Sequence, residues 1–323
     1  MQGVKYRAGR GLRAAVIAAL LAGAAGCEAS AQEATAFAFL RNDVGARAAA
    51  LAGSVVAVTN DPVLLFYNPA SLGTLASPAG SAGFFKHLLD INAGYAVYGQ
   101  EIAGVGYVGA GVIYTNYGSF DRTDELGNTL GTFTASDIAF SAGYSNSLEE
   151  NLFYGGAVKF IYSSIAGYRA TALAADAGIL YCLPASRLTL GASLRNIGRE
   201  TSAYAGVNEP LPLDLAVGAS VVPRGLPLLL NVDFHRLNEN PEGFIDRFRA
   251  FTVGGEFTLS RVFQARFGYN NQARKDLQTG TTSGLAGFSA GVGFIISGTV
   301  VDYALSSLGP IGNLHRISLG SSF

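Results

Sequence analysis

From about residue 80 onward the chain alternates: runs of roughly 9 to 15 residues carry an apolar side chain at every second position and end in turn residues. That two-residue period is the signature of a β-strand. Over 262–270, Phe263, Ala265, Phe267 and Tyr269 make one face, and Gln264, Arg266, Gly268 and Asn270 the other. Leu213, Leu215, Val217, Ala219 and Val221 alternate in the same way with Asp214, Ala216, Gly218 and Ser220. Counting such runs predicts about fourteen strands, starting near residues 79, 91, 104, 133, 152, 170, 188, 212, 226, 247, 262, 284, 299 and 314. No long amphipathic helix competes with them. An even count suits an all-β fold, a transmembrane antiparallel β-barrel with both ends on the periplasmic side.

The connections supply an independent argument. Counted from the first strand, the segments 118–132, 198–211, 238–246 and 271–283 fall at one end of the barrel and are long, whereas 183–187, 223–225 and the turn at Ser260 fall at the other and are tight. Outer-membrane barrels sort their loops by this parity, with short periplasmic turns and longer outside loops. A soluble β-sandwich has no reason to do so.

Composition agrees with a lipid-covered wall. Of 323 residues only 14% are charged, 49% are hydrophobic, 42 are Gly and none is Trp, against about 25% charged residues in ordinary soluble domains. The 15 Tyr must then supply the aromatic girdle at the membrane surfaces. A net charge of −1 gives no overall field to attract nucleic acid. Helical spans need about 18 consecutive apolar residues, and no such run occurs beyond the first thirty positions.

Those first positions read as an export signal. Lys5, Arg7, Arg10 and Arg13 precede an apolar stretch over 14–25, and Ala29-Ser30-Ala31 supplies a small-residue cleavage site. Residues 1–31 are therefore expected to be a signal peptide. A second cut, before Cys27 with lipidation of that residue, fits less well, because Ala24 stands where Leu is usual. Cleavage after Ala31 leaves Cys182 without a disulfide partner, most simply a small buried or lipid-facing side chain.

Charges inside the strands fall mostly on the face opposite the bulky apolar residues. Lys159, Asp176, Arg195, Asp214, Asp233, Arg249, Glu256, Arg266 and Asp302, with His235, are assigned to the lumen, where they escape the cost of about 2–4 kcal/mol for a basic residue facing lipid at the midplane. Four basic and five acidic groups nearly cancel, so a paired structural ladder filling the lumen is expected rather than a substrate path. The chain closes on an alternating strand with Ile317, Leu319 and the terminal Phe323 on one face, the pattern of a barrel insertion signal.

Two motifs imitate chemistry. Gly104-Val-Gly106-Tyr-Val-Gly109 fits a dinucleotide fingerprint, but a strand follows where a helix is required. Gly287-Phe-Ser289-Ala-Gly291 fits a hydrolase elbow with Asp302 and His315 behind it, yet Ser289 lies in an alternating run, about 10 Å from His315 if they are two strands apart. His87, His235 and His315 are scattered without metal-ligand spacing. No catalytic residue, cofactor or metal is expected.

Between the signal and the first strand, 32–78 carries Phe39-Leu-Arg-Asn-Asp-Val-Gly-Ala-Arg47, then Asn60-Asp61-Pro62, then Leu65-Phe-Tyr67-Asn68-Pro69-Ala70. It is too short for a domain. These residues resemble the N-terminal signature of the PorV/PorQ group of outer-membrane proteins, related to FadL-type barrels. Tyr117-Gly-Ser-Phe120, Asp124-Glu-Leu-Gly-Asn128, Leu194-Arg-Asn-Ile-Gly198 and Gly312-Asn-Leu-His-Arg316 extend the resemblance over nearly the whole mature chain. The resemblance implies a fourteen-stranded barrel over 79–323, with Asn68, Pro69 and Ala70 in a plug at its mouth. It also implies a type IX secretion role in the outer membrane of a Gram-negative bacterium, holding a PorZ-like surface protein in company with PorU and PorV. The acidic run common in that group before its Asn-Pro-Ala is reduced here to Asp61. On this reading the protein contacts outer-membrane lipid and is not an enzyme, and the outside loops at 118–132 and 198–211 dock the partner. The rival expectation is a FadL-like channel for hydrophobic small molecules, which needs a continuous apolar passage rather than a lumen closed by charges.

Overall fold

The computed structural model describes residues 37–86, 90–204, 208–239, 243–277 and 284–323. The expected signal peptide, Cys27 and His87 lie outside the described residues.

Fourteen strands form the wall. The first seven are β1 (Ala79–Lys86), β2 (Asn92–Ile102), β3 (Gly106–Thr123), β4 (Thr129–Glu149), β5 (Leu152–Ile165), β6 (Tyr168–Leu183) and β7 (Leu188–Ser202). The remaining seven are β8 (Asp214–Val221), β9 (Leu228–Phe234), β10 (Phe251–Thr258), β11 (Phe263–Asn270), β12 (Phe288–Ile296), β13 (Thr299–Ser307) and β14 (Asn313–Ser322). Each begins within four residues of its expected start. Every strand pairs antiparallel with its sequence neighbours, and β1 closes on β14 from Ala79↔Ser322 to Lys86↔His315. The outer face exposes Phe84, Val158, Leu173, Phe267, Ile317 and Leu319, as a wall bathed in lipid requires. Among the described residues no helix is long and apolar enough to cross a membrane.

The loop parity holds with two corrections at the outer end. The segment 118–132 is not a loop: after a register shift, β3 and β4 go on pairing from Ser119↔Thr134 to Thr123↔Thr129. Phe120 stacks on Phe133 with ring centroids 5.4 Å apart, and the Asp124 carboxylate accepts from the Leu126 and Asn128 amides at the tip. An Asx turn and one aromatic pair thus convert the expected loop into a projecting hairpin. The β5–β6 connection, also at the outer end, is a tight turn in which Ala166 and Gly167 both take positive φ, the geometry of a two-residue hairpin.

The lumen is filled. Residues 37–75 run through it as a 3-10 helix (Ala38–Arg41), a short helix α1 (Ala46–Ala50) and two further 3-10 helices, Pro62–Phe66 and Pro69–Thr74. Each of the last two starts with proline, and the preceding Asp61 or Asn68 side chain accepts an amide of the first turn. Leu51, Leu64, Leu65 and Leu72, all from this segment, are among the largest fully buried side chains. The hydrophobic core is therefore plug against inner wall, while lipid takes the place of a second core outside.

Glycine makes this packing possible. A Cβ at Gly155 would lie 2.5 Å from the Ala70 nitrogen, and one at Gly191 would lie 2.4 Å from the Val56 oxygen. Bare backbone is needed wherever plug backbone lies on the wall. The same holds for the last glycine of the dinucleotide-like motif, since a Cβ at Gly109 would meet Leu72 at 2.9 Å.

Candidate functional site

The Asn-Pro-Ala element fixes the plug to the wall. Asn68 is fully buried; its Nδ2 donates to the Val56 oxygen at 2.8 Å and to the Ile179 oxygen of β6 at 3.2 Å, while its Oδ1 accepts from the Ala70 amide at 3.1 Å. Pro69 supplies the fixed φ of the helix start. The Ala70 oxygen accepts from Ser145 of β4 at 3.0 Å. One buried amide thus satisfies three backbone groups from three segments, a use to which only Asn or Gln is suited.

The lumen charges form two clusters rather than one ladder. On the β5–β9 arc, Lys159 pairs with Asp176 at 2.8 Å and donates to Asn196 at 2.8 Å, and Arg195 pairs with Asp214, beside His235. Asp233 accepts the plug amide of Val56 at 2.8 Å. On the β10–β13 arc, Arg266 pairs with Glu256 at 2.7 Å and Asp302 at 2.6 Å. A cation from the plug completes this second cluster: Arg47 of α1 donates to Glu256 at 2.8 and 3.0 Å and to Asp61 at 3.3 Å. Burial works against the Arg47 charge, but Glu256 and then Asp61 outweigh it and hold its pKa above the ordinary guanidinium value. Asp43, also in the plug, has its pKa raised by burial, with Arg316, His235 and Arg195 acting the other way.

Arg249 is a correction. It ends a 3-10 helix (Phe244–Arg249) in the β9–β10 connection, its side chain is 62% exposed, and it pairs with Asp246 rather than with any lumen group. It precedes β10, which begins only at Phe251, and it has the parity of the outward-facing Phe251 and Val253 rather than that of the inward Thr252, Gly254 and Glu256.

Asn196 and Arg47 were not anticipated. Asn196 takes a φ of 61° in a β6–β7 register shift between Ala175 and Ala177, so that adjacent Arg195 and Asn196 both serve the lumen. Two consecutive polar residues inside an alternating strand were the available signal. Phe323 follows β14 with 75% exposure, and its amide donates to the Pro78 oxygen at 2.8 Å. Cys182 is half-buried on the lumen side, against the small cluster of Ala57, Ala70 and Leu180.

The hydrolase-like residues are not assembled. Ser289 donates to Ser306 at 3.1 Å, Asp302 is engaged by Arg266, and the His315 ring meets the Tyr303 hydroxyl at 2.7 Å on the outer face. Among the described residues no group of three or more His, Cys, Asp or Glu could hold a metal ion.

Two cavities flank α1. The outer one, about 240 Å³, reaches from Asp43 and Tyr67 to Asp214 and His235. The inner one, about 400 Å³, is lined by Arg47, Val58, Val63, Tyr95, Ile295 and Val300 among others. Segment 42–53 contributes to both: Asn42, Asp43, Ala52 and Gly53 line the outer cavity, and Gly45, Ala46, Arg47 and Ala48 the inner. This stretch is tied to β10 through Arg47 and Glu256 and to β14 through a bond from the Ala46 amide to Ser318 at 2.7 Å.

No family model matches the sequence, and no curated relative matches it. Solved structures do. The Ralstonia pickettii toluene transporter TbuX is 14% identical, with 87% of this chain and 98% of that one covered and a TM-score of 0.59. The Pseudomonas putida toluene transporter TodX is 12% identical over 87% and 96%, at a TM-score of 0.55. A Pseudomonas aeruginosa FadL homologue is 12% identical over 87% and 98%, at 0.54. The fourteen-strand closure, the lipid-facing exterior and these likenesses place the chain in the outer membrane of a Gram-negative bacterium, with the fold of the FadL-type barrels.

Proposed function

We propose that the chain is a plugged outer-membrane channel for small hydrophobic molecules. The observation that carries this reading is the pair of cavities inside the barrel, one toward each end, both lined in part by plug residues 42–53. The segment is held by the Arg47 cluster and the Ala46–Ser318 bond, and Ala50, Leu51 and Ala52 lie on bare wall backbone at Gly291, Gly254 and Gly268. The toluene transporters that share the fold support the substrate class. The lumen charges pair with one another and hold the plug, and in the inner cavity Val58, Val63, Ile295 and Val300 stand beside the paired Arg47, Asp61, Arg266 and Asp302. Cells expressing the barrel should take up a radiolabelled monoaromatic hydrocarbon faster than cells without it, and deletion of 42–53 should raise the rate further. Equal uptake in all three strains rejects the proposal.

A second reading is favoured by one feature, the projecting β3–β4 hairpin, whose Phe120, Leu126 and Leu130 are exposed. On that reading the rim docks a PorZ-like surface protein within a type IX attachment complex containing PorU and PorV, as the resemblance implies. Affinity capture from outer membranes tests it. Recovery of such partners by the intact chain, and their loss when 119–134 is removed, would favour docking over transport.

A further inference from the structure

The inner, periplasmic rim of the barrel sorts its charges by arc. The β6–β7, β8–β9 and β10–β11 turns carry Arg187, Arg224 and Arg261, one exposed arginine each, and no acidic side chain. Around the β2–β3 and β4–β5 turns the order is reversed: Glu101, Glu149 and Glu150 are exposed, and no basic residue accompanies them. Among the described residues no ion pair or hydrogen bond holds the guanidinium group of Arg187, Arg224 or Arg261. Neighbouring turns stand two strands apart, about 10 Å along the rim. That is close to one screening length at physiological salt, so the three charges act as a single positive field.

The height of this arc follows from the rings beside it. Phe257 ends one residue short of the inner end of β10, Phe263 opens β11, and Phe294 lies two residues from the inner end of β12. All three have the parity of the lipid face; Phe257 contacts Phe267 at 6.0 Å, and Phe263 contacts Phe294 at 5.2 Å. They form an aromatic belt, which in barrels sits at the headgroup boundary. Arg261 is two residues from Phe263, hence within about 7 Å of the belt along the chain. In the same turns Leu226, beside Arg224, and Leu259 and Val262, beside Arg261, are exposed. An arginine next to bare aliphatic side chains suits the membrane interface, where its stem lies on apolar groups and its head reaches the phosphates.

We propose that the β6–β11 arc of the inner rim binds anionic phospholipids of the inner leaflet, with Arg187, Arg224 and Arg261 on their headgroups and with Leu226, Leu259 and Val262 at the top of the acyl chains. The guanidinium fork matches phosphate oxygens in pairs. The charges alone would also suit an acidic periplasmic protein, but the exposed aliphatic side chains at the height of the belt favour lipid. The glutamates of the β2–β5 arc repel the same headgroups, so anionic lipid gathers on one side of the barrel and is depleted on the other.

The test uses the full chain in nanodiscs of phosphatidylcholine mixed with phosphatidylglycerol, with lipid retention read by native mass spectrometry. The wild-type protein should retain phosphatidylglycerol selectively. At about 1 kcal/mol per basic residue near a charged membrane surface, each single Arg→Gln variant should bind it about fivefold more weakly, and the triple variant Arg187→Gln/Arg224→Gln/Arg261→Gln about 100-fold. Leu226→Ser/Leu259→Ser should also weaken retention, whereas Glu101→Gln/Glu150→Gln should not. If the triple variant does not fold, the single variants serve instead. Equal retention of the two lipids, undiminished binding by the folded arginine variants, or displacement of the lipid by inorganic phosphate alone would each overturn the proposal.

Discussion

Replacing Arg47 by Ala should loosen segment 42–53 and leave the wall intact. The side chain makes two hydrogen bonds to Glu256 and one to Asp61, and bonds to charged groups are each worth about 1.5–3 kcal/mol. The sum overstates the loss, since Arg47 is 22% exposed and Glu256 keeps Arg266 as a partner. Solvent screening and that remaining partner put the expected cost near the low end of breaking a buried pair, about 3 kcal/mol. Local opening of α1 should then be about 100-fold more frequent. Hydrogen exchange of the barrel in nanodiscs measures this directly. The amides of Ala49 and Leu51, bonded to the oxygens of Gly45 and Arg47, should exchange about 100-fold faster, while those of β12 and β13 behind them stay protected. Arg47→Lys should recover only part of the protection, because the two-pronged contact with Glu256 is lost. Acceleration below about tenfold, or acceleration spreading equally into the wall, would refute the assignment of Arg47 as the tether.

Other predictions follow from single contacts. A Cβ at Gly178 would lie 2.0 Å from Asn68 Oδ1, so Gly178→Ala should lower refolding yield sharply. Asn68→Ala should partly rescue it, and strict additivity in that double-mutant cycle would contradict the packing described. Lys159→Met leaves buried Asp176 without its cation and should cost about 3–5 kcal/mol in a denaturant titration; Lys159→Met/Asp176→Leu should return most of it. At the hairpin tip, hydrogen bonds from the Asn128 side chain and then its backbone lower the Asp124 pKa. The carboxylate therefore supports the turn at every pH above its unfolded value of about 3.9, and support fades only as pH falls through the lower folded value. Amide exchange at Leu126 and Asn128 should show no such effect between pH 7 and about 5, and an acid-induced rise already at pH 6 would count against the assignment.

The wall was legible because its signal is periodic and long. Alternation located all fourteen strands, and the opposite-face charges Lys159, Asp176, Asp214, Glu256, Arg266 and Asp302 all came to lie inside. What escaped was whatever broke the period or lay outside it. Arg249 lies before the start of β10 and off its inward parity, and Asn196 is hidden by a bulge that changes parity in mid-strand. The hairpin at 119–134 read as a loop because its pairing depends on one turn carboxylate and one aromatic pair, neither of which is periodic. Arg47 was beyond reach for a different reason. Its partner Glu256 is 209 residues away, and nothing in the short Ala-rich helix says which wall strand it will meet. The same distance effect hides that Glu256 and Asp233, besides filling the lumen, bond to the plug at Arg47 and Val56.

The enclosed plug also dictates an order of events. The Ala46 amide is bound to Ser318, 272 residues later, inside a ring closed by β1 and β14. A segment this bulky, seated against bare glycine backbone on several strands, cannot be threaded through a finished ring. Closure of the β1–β14 seam must therefore come last, around residues already in place, and such distant contacts make the final step slow. Residues 37–75 then act as a mandrel: a segment that precedes every wall strand sets the circumference to which they are wound.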